Sequence, residues 1–196
     1  ALGLLYLSFS ASAQSGFLPQ PSTTQTVEQE FGLGKVKLTY ARPNVKERKV
    51  FGALVPYGKV WRTGANSATV LTFSEEVKLA GKTVPAGSYA LFTIPGEAEW
   101  TIILSKTTEQ WGSYAYKEAD DFLRVKVKPA KAAQKVESFT IQFANVQAGS
   151  MDLQLAWDNT LVSVPFTTDF DTKAMANIEA AMKGDKKPYF PAAIYY

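Results

Sequence analysis

Residues 123–128 read Leu, Arg, Val, Lys, Val, Lys, a strict alternation of apolar and charged side chains. Only an extended strand puts successive side chains on opposite faces, so a period of two sets a half-buried strand and excludes a helix. The pattern recurs. Val36, Leu38 and Tyr40 alternate with Lys35, Lys37 and Thr39. Phe139, Ile141 and Phe143 alternate with Thr140 and Gln142, and Met151, Leu153, Leu155 and Trp157 with Asp152 and Gln154. Residues 68–73 are a β-branched run, and residues 89–94 are apolar on both faces, as a central strand requires.

Turn residues separate these runs. Gly32-Leu33-Gly34 joins 27–31 to 35–41 as a hairpin, and Gly81-Lys82 is read as a tight turn between 77–80 and 83–84. Pro95-Gly96 ends the central strand before 100–104 returns, and Asp158-Asn159 is read as a turn into 161–166. About ten short strands with such punctuation predict a mainly β fold, an antiparallel β-sandwich. Periodicity leaves a closed barrel open as the alternative.

The sandwich domain is expected over 27–167. Residues 1–7 are apolar and Ala11-Ser12-Ala13 fits an A-x-A cleavage site, so 1–13 reads as the end of a signal peptide whose charged start is missing. Residues 14–26, rich in Pro, Ser, Thr and Gln, read as an extended leader. Residues 168–196 are expected to begin a helical extension: Asp171 caps a helix that carries Met175, Ile178 and Met182 on one stripe and ends at Gly184. Tyr189, Phe190, Ile194, Tyr195 and Tyr196 make 188–196 too apolar for a free tail. A docked segment, a continuing chain or a protein partner in the envelope is expected there.

Composition narrows the chemistry. There is no histidine and no cysteine, which removes thiol nucleophiles, disulfides, haem ligation, histidine-based triads, zinc sites and a lipoprotein anchor. The excess of 21 Lys and Arg over 18 Asp and Glu is too small and too evenly spread to predict nucleic acid as a partner. No segment outside the signal reaches the roughly twenty apolar residues of a membrane-spanning helix. The mature chain is therefore expected in the periplasm or outside the cell. Asp120 and Asp121 lack the spacing of a calcium loop, and no metal or cofactor is expected.

Residues 57–66 hold the densest set of chemically useful groups: Tyr57, Lys59, Trp61, Arg62, Thr63 and Asn66 around Gly58 and Gly64. Aromatic faces, cationic donors and an amide are what a polar-ligand pocket needs. As a site, Arg62 grips a carboxylate or phosphate and Asn66 a hydroxyl. As structure, Arg62 pairs with a buried acid and Asn66 supplies a left-handed turn position. Trp111, between Gln110 and Gly112, is the best placed indole for a ligand platform, whereas Trp100 and Trp157 read as core. Asp158, closing an apolar strand, is the one carboxylate that invites a catalytic reading, and a glycosidase needs two. Tyr57, Lys59, Trp61, Arg62, Asn66, Trp111 and Asp158 are thus the candidate binding residues. The leading expectation is an exported binding or interaction module for a polar small molecule or glycan. A carbohydrate-active or other hydrolase and an envelope scaffold presenting a helical tail are the alternatives. An open cleft gathering Arg62, Asn66 and Trp111 distinguishes the first, and two carboxyls across a cleft the second.

Arg42-Pro43, the run 51–58, Trp61-Arg62-Thr63-Gly64-Ala65-Asn66 and Pro85-Ala86-Gly87-Ser88-Tyr89 resemble an exported bacterial family, the domain of unknown function number 2911. Trp100, Gln110-Trp111-Gly112 and Ala156-Trp157-Asp158 fit its pattern, and the likeness covers about 27–166. The resemblance implies export, a β domain and often a tetratricopeptide-like tail. It implies no reaction.

Overall fold

The structure, a computed structural model, describes residues 18–195. The expected signal peptide and cleavage site, the first residues of the expected leader and Tyr196 lie outside these residues. Among the described residues, ten strands form two antiparallel sheets. Six strands, in the order β1-β2-β3-β6-β7-β8, are β1 (Thr23–Phe31), β2 (Gly34–Arg42), β3 (Thr69–Phe73), β6 (Gly87–Ile94), β7 (Trp100–Ser105) and β8 (Asp121–Val127). Four more, in the order β5-β4-β10-β9, are β4 (Val77–Leu79), β5 (Lys82–Val84), β9 (Ala130–Ala144) and β10 (Ser150–Thr167). The sheets do not join into a barrel.

The alternation places the core. Val36, Leu38, Leu71, Leu91 and Ile102 from the larger sheet share one buried cluster with Ile141, Leu153, Leu155, Val162 and Val164 from the smaller. Each such side chain contributes about 1.5–3 kcal/mol by leaving water. Strand β6 is buried on both faces because its outer face is also covered. Ala90 and Phe92 pack there with Ala68 and Ile103, under Val60 and Tyr116 from two loops.

A long free edge on β9 would invite pairing with other chains, and the segment leaving β2 closes part of it. Pro43 O accepts from Phe139 N (2.8 Å), and Val45 N donates to Glu137 O (2.8 Å). Tyr40 Oη accepts from Ile141 N (2.9 Å), and Arg42 Nε donates to Phe139 O (3.0 Å).

Some boundaries differ from the sequence reading. The hairpin between β4 and β5 turns at Ala80-Gly81 rather than Gly81-Lys82, with φ of 46° and 78° at its two loop positions. Two positive φ values suit the right-handed strand twist, and Gly81 has to be the second of them. Asp158-Asn159 is not a turn. Strand β10 runs straight through it, with register shifts on both sides of Asp158 and φ 52° at that residue. A polar pair that ends a strand in most contexts here forms a bulge, because β9 pairs with β10 on both sides of it. Strand β1 begins at Thr23, so the end of the leader is already in the sheet.

After β10, α1 spans Asp171–Met182 and α2 spans Tyr189–Tyr195. Phe170 occupies the N-cap and Asp171 the first turn, where its charge still suits the helix dipole. Ala174 is buried, Met175, Ile178 and Met182 are half-buried, and Tyr195 Oη donates to Asp171 Oδ1 (2.6 Å). No helix among the described residues is long and apolar enough to cross a membrane.

Candidate functional site

Between β2 and β3 the chain adds no strand to either sheet, touching them through single bridges at Asn44–Ser138 and Trp61–Thr93, and forms a strap over one end of the sandwich. Val45, Val50, Phe51, Val55 and Trp61 of the strap are buried, whereas Leu54 and Tyr57 are exposed. Trp61 is the main plug. Its ring stacks on Trp157 of β10 (5.7 Å between centroids, 16° between planes), its Nε1 donates to Gly64 O (3.0 Å), and its backbone exchanges two hydrogen bonds with Thr93. Thr63 is fully buried: its hydroxyl meets that of Thr93 (3.1 Å), and its carbonyl accepts from Thr69 Oγ1 (2.6 Å). Gly64 has φ 152°, and a Cβ there would lie 2.9 Å from Ala41 O. Only glycine lets the strap lie this close to β2.

Beside this plug, a cleft of about 310 Å3 opens between the strap and Pro21-Ser22. Leu54, Val55, Trp61 and Trp157 give it apolar walls, and Asn44, Lys46, Arg48 and Arg62 line it with polar groups. Three of its lining residues are cationic and none is a carboxylate. Among the described residues, none of these cations has a salt-bridge partner within 4.0 Å. Arg48 is aimed by two backbone acceptors, Val45 O (2.9 Å to Nε) and Asn44 O (2.6 Å to Nη2). Arg62 Nε is buried without a hydrogen-bond partner. A buried guanidinium N–H left unpaired costs about 1–3 kcal/mol or more, so its position calls for an acceptor. Strain collects here too: Lys46, Glu47, Thr63 and Asn66 are non-glycine residues with φ of 48°, 59°, 55° and 57°. Such residues persist where the surroundings over-determine them, and they cluster at ligand sites.

Of the seven residues proposed from sequence, Trp61 and Arg62 line this cleft. Asn66 takes the left-handed turn position, donating from Nδ2 to Ser22 O (3.1 Å) and accepting from Gly112 N (3.0 Å). It thereby tethers the segment that forms the cleft's rim. Trp111 is 66% exposed and bridges Ser67 outside the cleft. Tyr57 borders a different cavity, Lys59 is exposed at the tip of the strap, and Asp158 sits in the β10 bulge, 4.0 Å from Lys135. Sequence reading missed Asn44, Lys46, Arg48 and Trp157 as cleft residues. The dense polar run from Arg42 to Arg48, without strand or helix periodicity, was the available signal for the first three. Trp157 shows only its core alternation.

A family model described as "Protein of unknown function (DUF2911)" matches residues 22–166, from the cleft's rim at Ser22 to Phe166 near the end of β10. No curated protein and no solved structure matches the chain.

Proposed function

The chain belongs to the DUF2911 family of proteins of unknown function, and from that premise we propose that it is an exported module whose sandwich binds a small anionic molecule in the cleft beneath the strap. The observation that carries the reading is Arg62: a buried, unpartnered Nε on a permanently charged side chain, in a cleft lined by two further cations and no carboxylate. A carboxylate or phosphate oxygen supplies the missing acceptor, and Lys46 and Arg48 balance its charge. The apolar walls lower the effective dielectric around the pair, which strengthens it. Export rests on the Ala11-Ser12-Ala13 pattern behind an apolar run. The domain division proposed is a cleaved signal remnant over 1–13, an extended leader over 14–26 whose end already enters β1 at Thr23, a β module over 27–167 and a helical extension from 168.

The test is calorimetric titration of the protein with inorganic phosphate, glycerol 3-phosphate and succinate at low ionic strength. Saturable binding of at least one is expected, weakening with added salt and accompanied by a change in tryptophan emission from the Trp61–Trp157 floor. Arg62→Gln is expected to lose about tenfold or more in affinity, in line with one charge-assisted hydrogen bond. Its melting temperature should stay near wild type. Failure of all three anions to bind, or equal binding by Arg62→Gln, overturns the reading.

A further inference from the structure

A second cavity lies on the other flank of the aromatic plug. It measures about 260 Å3 and shares no lining residue with the cationic cleft. Tyr57 forms its rim, 39% exposed, and the ring is held from behind: a Cβ on Gly52 would lie 2.8 Å from Tyr57 Cε2. The Tyr57 ring thus lies directly against Gly52, in space that any side chain there would fill, and its exposed part borders the cavity. Facing the cavity are Glu97, Lys131, Asn159 and Thr160. Lys131 and Thr160 are register partners across β9 and β10, and the bulge around Asp158 sets where Asn159 and Thr160 fall. Bulges re-aim side chains in this way at functional sites.

The chemistry of this set differs from that of the cleft. One carboxylate and one ammonium cancel, so no net charge is selected. Among the described residues, neither Glu97 nor Lys131 has a side-chain hydrogen bond within 3.5 Å or a salt bridge within 4.0 Å. Asn159 Nδ2 gives one of its two N–H groups to Asp158 Oδ1 (3.1 Å), which leaves the other N–H and the carbonyl oxygen for a ligand. The cavity thus offers acceptors at Glu97 and Asn159, a donor at Lys131, and a hydroxyl that does both at Thr160. A ligand matching it is neutral, carries adjacent hydroxyl groups that each donate and accept, and has an apolar C–H face for the Tyr57 ring. We infer that this cavity is a binding subsite for a neutral saccharide, with Tyr57 as its stacking platform and Glu97, Lys131 and Asn159 as its hydroxyl readers.

The experiment is an NMR titration of the isotopically labelled protein with cellobiose, maltose and N,N′-diacetylchitobiose. Saturable millimolar binding of at least one is expected, with shifts centred on 52–58, 96–97 and 129–131. Tyr57→Ala should weaken it about tenfold, the equivalent of ~1.4 kcal/mol, while Tyr57→Phe, which keeps the ring, stays within about twofold of wild type. Lys131→Ala, exposed on the strand surface, provides a second loss of affinity that does not depend on the strap folding normally. Arg62→Gln should leave saccharide binding unchanged, so failure here and failure of the anion site are separable. Absence of saturable shifts with all three sugars, or shifts indifferent to both Tyr57→Ala and Lys131→Ala, overturns the proposal.

Discussion

Tyr116 shows how much one side chain depends on its neighbours. Its hydroxyl donates to Asp121 Oδ2 (2.7 Å) and accepts from Arg124 Nη2 (2.6 Å), while Arg124 Nε reaches the same carboxylate oxygen (2.6 Å). Burial, and then the bond to Asp121, raise the phenol from the usual 10.0 to about 12. The folded protein therefore holds this proton where the unfolded chain has released it. Stability from this group is complete below pH 10 and is lost as pH rises through about 12. The loss is reduced by solvent around the partly exposed Arg124. Tyr116→Phe should flatten the fall in stability across this window relative to wild type, as measured by urea unfolding at its two ends. An identical pH dependence in the two proteins would show that the triad contributes nothing to the titration. Arg62 poses the opposite case: its chemistry is visible in the sequence, but whether an acid meets it is a question of tertiary geometry, and no acid does within 4.0 Å among the described residues.

At the scale of elements, most strands were legible and the strap was not. Most strands carry an alternation or an apolar run of their own, although the first half of β9 alternates poorly and was not legible either. The segment between β2 and β3 has neither, and its course is set by what it plugs. Trp61 is the clearest instance. Its position among cations and glycines suggests a ligand contact, yet the ring is only 8% exposed and packs against Trp157, Phe139 and Phe51. Removing it takes away the ring that fills the space between Trp157, Phe139 and Phe51. Trp61→Ala should cost about 3–5 kcal/mol in urea unfolding, and Trp61→Phe much less. A loss below about 1 kcal/mol for Trp61→Ala would mean that the strap closes without its plug. The β10 bulge belongs to the same class. Asp158-Asn159 has turn chemistry, and only continuous pairing with β9 keeps the strand going.

For the molecule as a whole, one prediction concerns its N-terminus. The proposed export requires cleavage after Ala13, and mature protein recovered from the periplasm or medium should begin at Gln14 by intact mass. A retained leader would refute that processing. The described structure is compatible with such a cut, since the first strand begins at Thr23, nine residues beyond Gln14. Alternation and turn residues determined that this chain is mainly β with antiparallel strands, and the absence of histidine and cysteine which chemistries it lacks, because period and composition are local properties. That the strands split into two sheets rather than closing a barrel was decided by the tertiary structure. The cleft was decided elsewhere. It needs Asn44, Lys46 and Arg48 to meet Arg62 and Trp157, residues up to 113 positions apart along the chain. Proximity across that distance follows from how two sheets stack and which loop closes their end, and no local pattern in a single sequence encodes it.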